Sequence, residues 1–129
     1  MSPSRQVVLS PDAPRPLSAY SQAIQSGSLL FVSGQIPLDP TTGQLVSGSI
    51  ALETDRVMQN LSAVLAAAGA SLQHVLKTTV YLANMADFAE FNGAYAKYFP
   101  SAPPARSTVA VAGLPLGVRV EIEAIAAVA

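Results

Sequence analysis

The 129-residue sequence predicts an α+β sandwich, with two helices packed on one face of a sheet. Three observations carry that prediction. Segments rich in β-branched and apolar residues alternate with two stretches of helical periodicity, in the order strands, helix, strand, helix, strand, strand. Half of the residues are hydrophobic, enough for a substantial core in a single domain over residues 1–129. Only 12% are charged, where globular chains average about 25%. A sheet covered on one face, in so charge-poor a chain, predicts an oligomer that buries the other.

Each element has its own warrant. Arg5–Leu9 reads as a short first strand. Pro11, Pro14 and Pro16 then force an extended passage, because proline fixes its own φ and restricts its predecessor. Ala23–Gln25 and Leu29–Ser33 are strands around a hairpin turn at Ser26-Gly27-Ser28. A polar turn follows at Asp39-Pro40-Thr41-Thr42-Gly43. From Ile50 to Ala68, Val57, Leu61, Val64, Leu65 and Ala68 share one helical face, and Gly69 supplies a left-handed C-terminal residue. Val75–Leu82 is a β-branched strand. Asn84 and Asp87 open a second helix with Phe88, Phe91, Tyr95 and Phe99 as its buried stripe, and Pro100 ends it. Two strands close the chain, Arg106–Val111 and Val118–Ala127, joined through Gly113-Leu114-Pro115-Leu116-Gly117.

Composition narrows the function. Seven basic and eight acidic residues give a net charge of −1 with no Lys/Arg cluster, which argues against nucleic-acid binding. The absence of cysteine removes disulfides, thiolate metal sites and cysteine nucleophiles. Residues 1–20 hold four prolines and no apolar segment of signal-peptide type, and the apolar stretches are too short or interrupted to span a membrane. A soluble, cytoplasmic protein is the expectation. Ser33-Gly34-Gln35 lacks the context of a phosphate loop, and nothing resembles a nucleophile elbow. His74 is the only histidine, and as a connector residue without a partner it reads as structural or solvated.

The last strand concentrates charge. Alternation puts Val118, Val120, Ile122, Ala124 and Ala126 on one side, and Arg119, Glu121, Glu123 and Ile125 on the other. This is either a solvent-facing Glu–Arg–Glu ladder or a strand with one glutamate acting as a general base in a pocket. Arg106, after Pro103-Pro104-Ala105, is either a strand-end surface residue or a bidentate anchor for a small carboxylate. Tyr20, just after the proline segment, either packs in the core or covers a site. Asn92, four residues after Phe88, needs polar partners of its own or in a ligand.

Taken together these segments resemble the RidA (YjgF-type) family of imine/enamine deaminases over nearly the whole chain. The most specific part is Pro104-Ala105-Arg106-Ser107-Thr108-Val109, followed after Leu114-Pro115 by Val120-Glu121-Ile122-Glu123-Ala124-Ile125-Ala126. Supporting matches are Phe31-Val32-Ser33-Gly34-Gln35-Ile36-Pro37, Leu65–Leu72 and Lys77-Thr78-Thr79-Val80-Tyr81-Leu82. The resemblance implies a chorismate-mutase-like fold, with a mostly antiparallel β-sheet and two helices on one face. It also implies a homotrimer with sites in the clefts between subunits.

The implied activity is hydrolysis of 2-imino acids such as 2-iminobutanoate and 2-iminopropanoate to 2-keto acids and ammonia, without metal or other cofactor. By the same resemblance Arg106 holds the substrate carboxylate and Glu121 positions or activates water. Tyr20 and Asn92 line the cleft, Ser33 and Gly34 form its floor, and Thr108 stands where many members have cysteine. Ser18-Ala19 replaces the Gly-Pro that often precedes the tyrosine. The family has also been linked with holdase-like and endoribonuclease roles, which are the alternative readings.

Overall fold

The computed structural model describes residues 4–129. Its strands are β1 (Gln6–Val8), β2 (Ala23–Ser26), β3 (Leu29–Gln35), β4 (Val75–Leu82), β5 (Ala105–Ala110) and β6 (Val120–Ala127). The helices are α1 (Ile50–Ala67) and α2 (Phe88–Ala96). All six strands form one sheet in the order β1-β2-β3-β6-β4-β5. Every pairing is antiparallel except β4–β5, which is parallel and therefore needs a crossover, supplied by α2. β6 lies between β3 and β4, so the final strand occupies the middle of the sheet.

Local chemistry sets the boundaries. The β2–β3 hairpin closes over Gly27, whose φ of 58° belongs to the region where glycine is favoured. Ser49 caps α1 by accepting from the Leu52 amide at 3.1 Å. Gly69, at φ 75°, ends the same helix. The segment after β4 differs from the predicted continuous helix. Asn84 caps a short 3₁₀ turn, Met85–Asp87, and only then does α2 begin.

Both helices cover the same face. Val57, Met58, Leu61, Val64 and Leu65 of α1 and Phe91 of α2 are fully buried against Leu30, Val80, Val120, Ile122 and Ala126. The alternation expected for the last strand holds: Val120, Ile122, Ala124 and Ala126 point into this core. The opposite face is uncovered among the described residues and carries Phe31, Tyr81, Glu121, Glu123 and Ile125. The last strand begins two residues later than predicted, because Val118 and Arg119 belong to the approach from a 3₁₀ turn at Pro115–Gly117.

Candidate active site

The site is built around a defect in the sheet. Val32 pairs with Ala124 and Gln35 with Ile122, so Ser33 and Gly34 together oppose the single residue Glu123. Such a bulge re-aims side chains, and bulges concentrate beside active sites. It brings the backbone of Gly34 under the side chain of Glu121, so closely that a Cβ at position 34 would collide with the Glu121 carboxylate. Ser33 is held from the side, its hydroxyl donating to Ser21 O at 2.6 Å and its amide to Gln22 O at 2.9 Å.

A cleft of about 440 Å³ opens over this bulge, walled by Leu17, Tyr20, Ile36 and Pro115 with Glu121 and Glu123 at its polar side. Tyr20 is 45% exposed, and its phenolic oxygen accepts from the Leu17 amide at 3.2 Å, which sets the ring at the cleft edge. Glu121 is half-buried. Its pKa is raised above the usual carboxylate range, first by burial and second by the charge of Glu123. Tyr81, the cross-strand neighbour of Glu121, has its phenol raised by desolvation and by both glutamates.

Arg106 stands elsewhere. In the parallel register it pairs with Thr78, whose side chain is fully buried on the helix-covered face. Its guanidinium donates to Asn92 Oδ1 at 2.8 Å and lies 5.0–5.8 Å from the ring centroids of Tyr95, Phe88 and Phe91. Tyr95 is fixed in turn by a 2.8 Å bond between its hydroxyl and that of Thr78. Thr108 shares this face two residues along β5, and its Oγ1 is buried with no hydrogen-bond partner among the described residues.

The seven site residues named from sequence thus fall into two groups. Tyr20, Ser33, Gly34 and Glu121 meet in the cleft, whereas Arg106, Asn92 and Thr108 gather on the other side of the sheet. One chain does not bring them together. Arg119 also departs from the ladder expectation. It turns away from Glu121 and Glu123 to pair with Glu53 of α1 at 2.6 Å.

Sequence reading missed Gln22. It is almost completely buried, accepts from the Ser10 amide at 2.6 Å and donates to Pro14 O at 2.8 Å, which folds the proline segment onto the cleft. A glutamine entering an apolar strand was the available signal. His74 closes a 3₁₀ turn by accepting from the Ser71 amide at 3.0 Å. Among the described residues no group of three or more His, Asp or Glu side chains could hold a metal ion.

Fold and cleft together define a small protein of chorismate-mutase-like architecture with an acid-lined cleft on its open sheet face. A family model described as Endoribonuclease L-PSP matches residues 10–128. A RutC family protein of Pyrococcus horikoshii is 51% identical over 122 residues, covering 95% of this chain and 97% of that one. The mouse 2-iminobutanoate/2-iminopropanoate deaminase is 47% identical over 122 residues, covering 95% and 90%. The crystal structure of RidA from an Antarctic Psychrobacter superposes with a TM-score of 0.92 at 37% identity, covering 95% of this chain and 99% of that one. The chain belongs to the Endoribonuclease L-PSP family, which is the RidA (YjgF-type) family of the sequence resemblance.

Proposed function

We propose that this protein is a hydrolytic deaminase of 2-imino acids, working as a homotrimer whose sites combine the two groups of residues from neighbouring copies. Deaminase activity at the family level is supported by relatives named for it in mouse and in Arabidopsis, 47% and 48% identical. The observation that carries the reading is Glu121, a half-buried carboxylate of raised pKa seated on the Gly34 backbone inside a cleft. A carboxylate near 4.3 is a weak base at neutral pH, and a raised value improves it.

The chemistry divides between the two groups. Arg106, oriented by Asn92 and the three rings, keeps donors free for a bidentate grip on the substrate carboxylate. Glu121 takes a proton from water as its oxygen adds to the protonated C=N carbon. It then delivers that proton to nitrogen, the C–N bond breaks to release ammonia, and the carbinol hydroxyl gives its proton to that ammonia, leaving a 2-keto acid and ammonium. Positioning of water and imine supplies most of the acceleration. Thr108 lies in the same group as Arg106, two residues along β5 from it.

Separation of the two groups by the sheet supports assembly, because a second copy is the simplest source of an arginine for the Glu121 cleft. The open face carries exposed Phe31 and Val109, the kind of surface that trimer contacts would cover. Among the described residues no helix is long and apolar enough to cross a membrane. A cytoplasmic setting belongs to the proposal, the Arabidopsis relative being named as chloroplastic.

Imines generated in situ by a PLP-dependent dehydratase test the activity. The wild type should release keto acid and ammonia faster than buffer, and Arg106→Ala and Arg106→Lys should both be poor. A wild-type rate equal to buffer, or full activity in Arg106→Ala, would sink the assignment. A holdase-like role is favoured by the exposed apolar side chains alone, and a client-aggregation assay separates it from the deaminase.

A further inference from the structure

Arg119, two residues before Glu121, is a residue that the proposed chemistry does not use. Arg119 has its side chain, amide and carbonyl all engaged. Its Nε donates to Glu53 Oε2 at 2.7 Å, its amide donates to Glu53 Oε1 at 3.3 Å, and its terminal nitrogen donates to Gly48 O. Its carbonyl accepts from the Ala83 amide at 3.0 Å, which prolongs the β4–β6 pairing. Glu53, in the first turn of α1, is 5% exposed.

The segment leading into this clamp is strained. Leu116 sits at φ 57° and is 61% exposed, so no burial rewards a conformation that side-chain-bearing residues avoid. Such conformations persist where the surroundings over-determine them, and they concentrate at functional sites. The turn places Pro115 in the wall of the cleft that holds Glu121, and Val118 closes the turn by donating to Pro115 O at 3.2 Å. The ion pair is buried only at its Glu53 end, the Arg119 side chain being 38% exposed, so it adds little net stability and its value lies in fixing one geometry.

We infer that the Glu53–Arg119–Gly48 clamp is a positioning device for the cleft: it holds the Pro115–Gly117 lip in place and fixes the entry of β6 that aims Glu121. This rests on the deaminase reading for its kinetic consequence. Arg119 touches no reacting atom, and it acts through Pro115 and Glu121. Lysine cannot replace it, because a point charge on a flexible stem cannot span both the Glu53 carboxylate and the Gly48 carbonyl.

The test is Arg119→Lys, which conserves charge and removes the fork. The readouts are kcat/KM against pH on 2-iminobutanoate, and titration of the Glu121 carboxyl by NMR with labelled glutamate. With the lip loosened, Glu121 loses part of the burial that raises its pKa. Its titration should move down toward the ordinary carboxylate range, and kcat/KM should fall roughly tenfold or more. A variant of lowered thermal midpoint, but with unchanged kcat/KM and Glu121 titration, overturns the inference and leaves the pair purely structural. Should Arg119→Lys fail to fold, Glu53→Gln removes the ion pair while keeping the length of the side chain. A wild-type pH profile in that variant also overturns the inference. Wild-type protein that hydrolyses no imine, yet whose Glu121 titration shifts in Arg119→Lys, upholds the positioning role and discards the deaminase reading.

Discussion

Glu121 and Glu123 are two residues apart on one face of β6, and their environments separate their roles. Glu121 rests on the Gly34 backbone and is half-buried, whereas Glu123 is exposed at the other side of the bulge. The charge of Glu123 adds to burial in holding the Glu121 proton. Glu123→Gln removes that charge and leaves burial intact, so the Glu121 pKa should fall. Activity that requires ionised Glu121 would then persist to lower pH. The acid limb of kcat/KM should therefore move down the pH scale, and a limb that stays in place would show that the two carboxylates do not communicate. Tyr81 faces the same pair from β4, Lys77 lies further along that strand, and Arg5 approaches Glu123 from the β1 side.

At the scale of elements, the helices are tied to one another as well as to the sheet. Tyr98, just past α2, donates to Asp55 of α1 at 2.9 Å, and Lys97 lies 3.6 Å from the same oxygen. Burial and the bond to Asp55 push the Tyr98 phenol up to about 12. A hydrogen bond of this kind contributes about 1 kcal/mol, so Tyr98→Phe should destabilise by that order. The contribution is complete below the ordinary phenol value of about 10 and is lost as pH climbs from there through the folded value. Urea unfolding at neutral pH and again at high alkaline pH should show the difference between wild type and Tyr98→Phe shrinking. A constant difference would mean the hydroxyl matters only through packing. Because α2 carries Asn92 and the rings around Arg106, looser helix contacts should also loosen the hold on Arg106 and lower the proposed deaminase activity.

For the whole molecule, the sheet itself separates the two groups of site residues. Residues paired in register share a face, and Arg106 shares its face with buried Thr78 while Glu121 shares its face with Tyr81. Alternation along β4 puts Thr78 and Tyr81 on opposite sides. If complete sites form between copies, Arg106→Ala and Glu121→Gln subunits damage different halves of each site. Each variant alone should be inactive, and a mixture refolded together should regain a fraction of wild-type activity through sites that combine two intact halves. No recovery on mixing would count against sites shared between copies.

Much of the fold was legible in the chain because its determinants are local. The helical face of Val57, Leu61, Val64 and Leu65, the Gly27 turn, the Gly69 stop and the alternation along Val120–Ala126 are properties of neighbouring residues. By itself the sequence determined the α+β class, the two helix-forming segments and the residue types from which a carboxylate-binding and water-handling site could be made. Only the tertiary structure decided the parallel β4–β5 pairing, the bulge that seats Glu121 on Gly34, the diversion of Arg119 to Glu53, and the placing of Arg106 and Glu121 on opposite faces. Those four facts depend on contacts between residues far apart in the chain. Periodicity reports which face a residue prefers, and only the assembled sheet fixes what stands across from it.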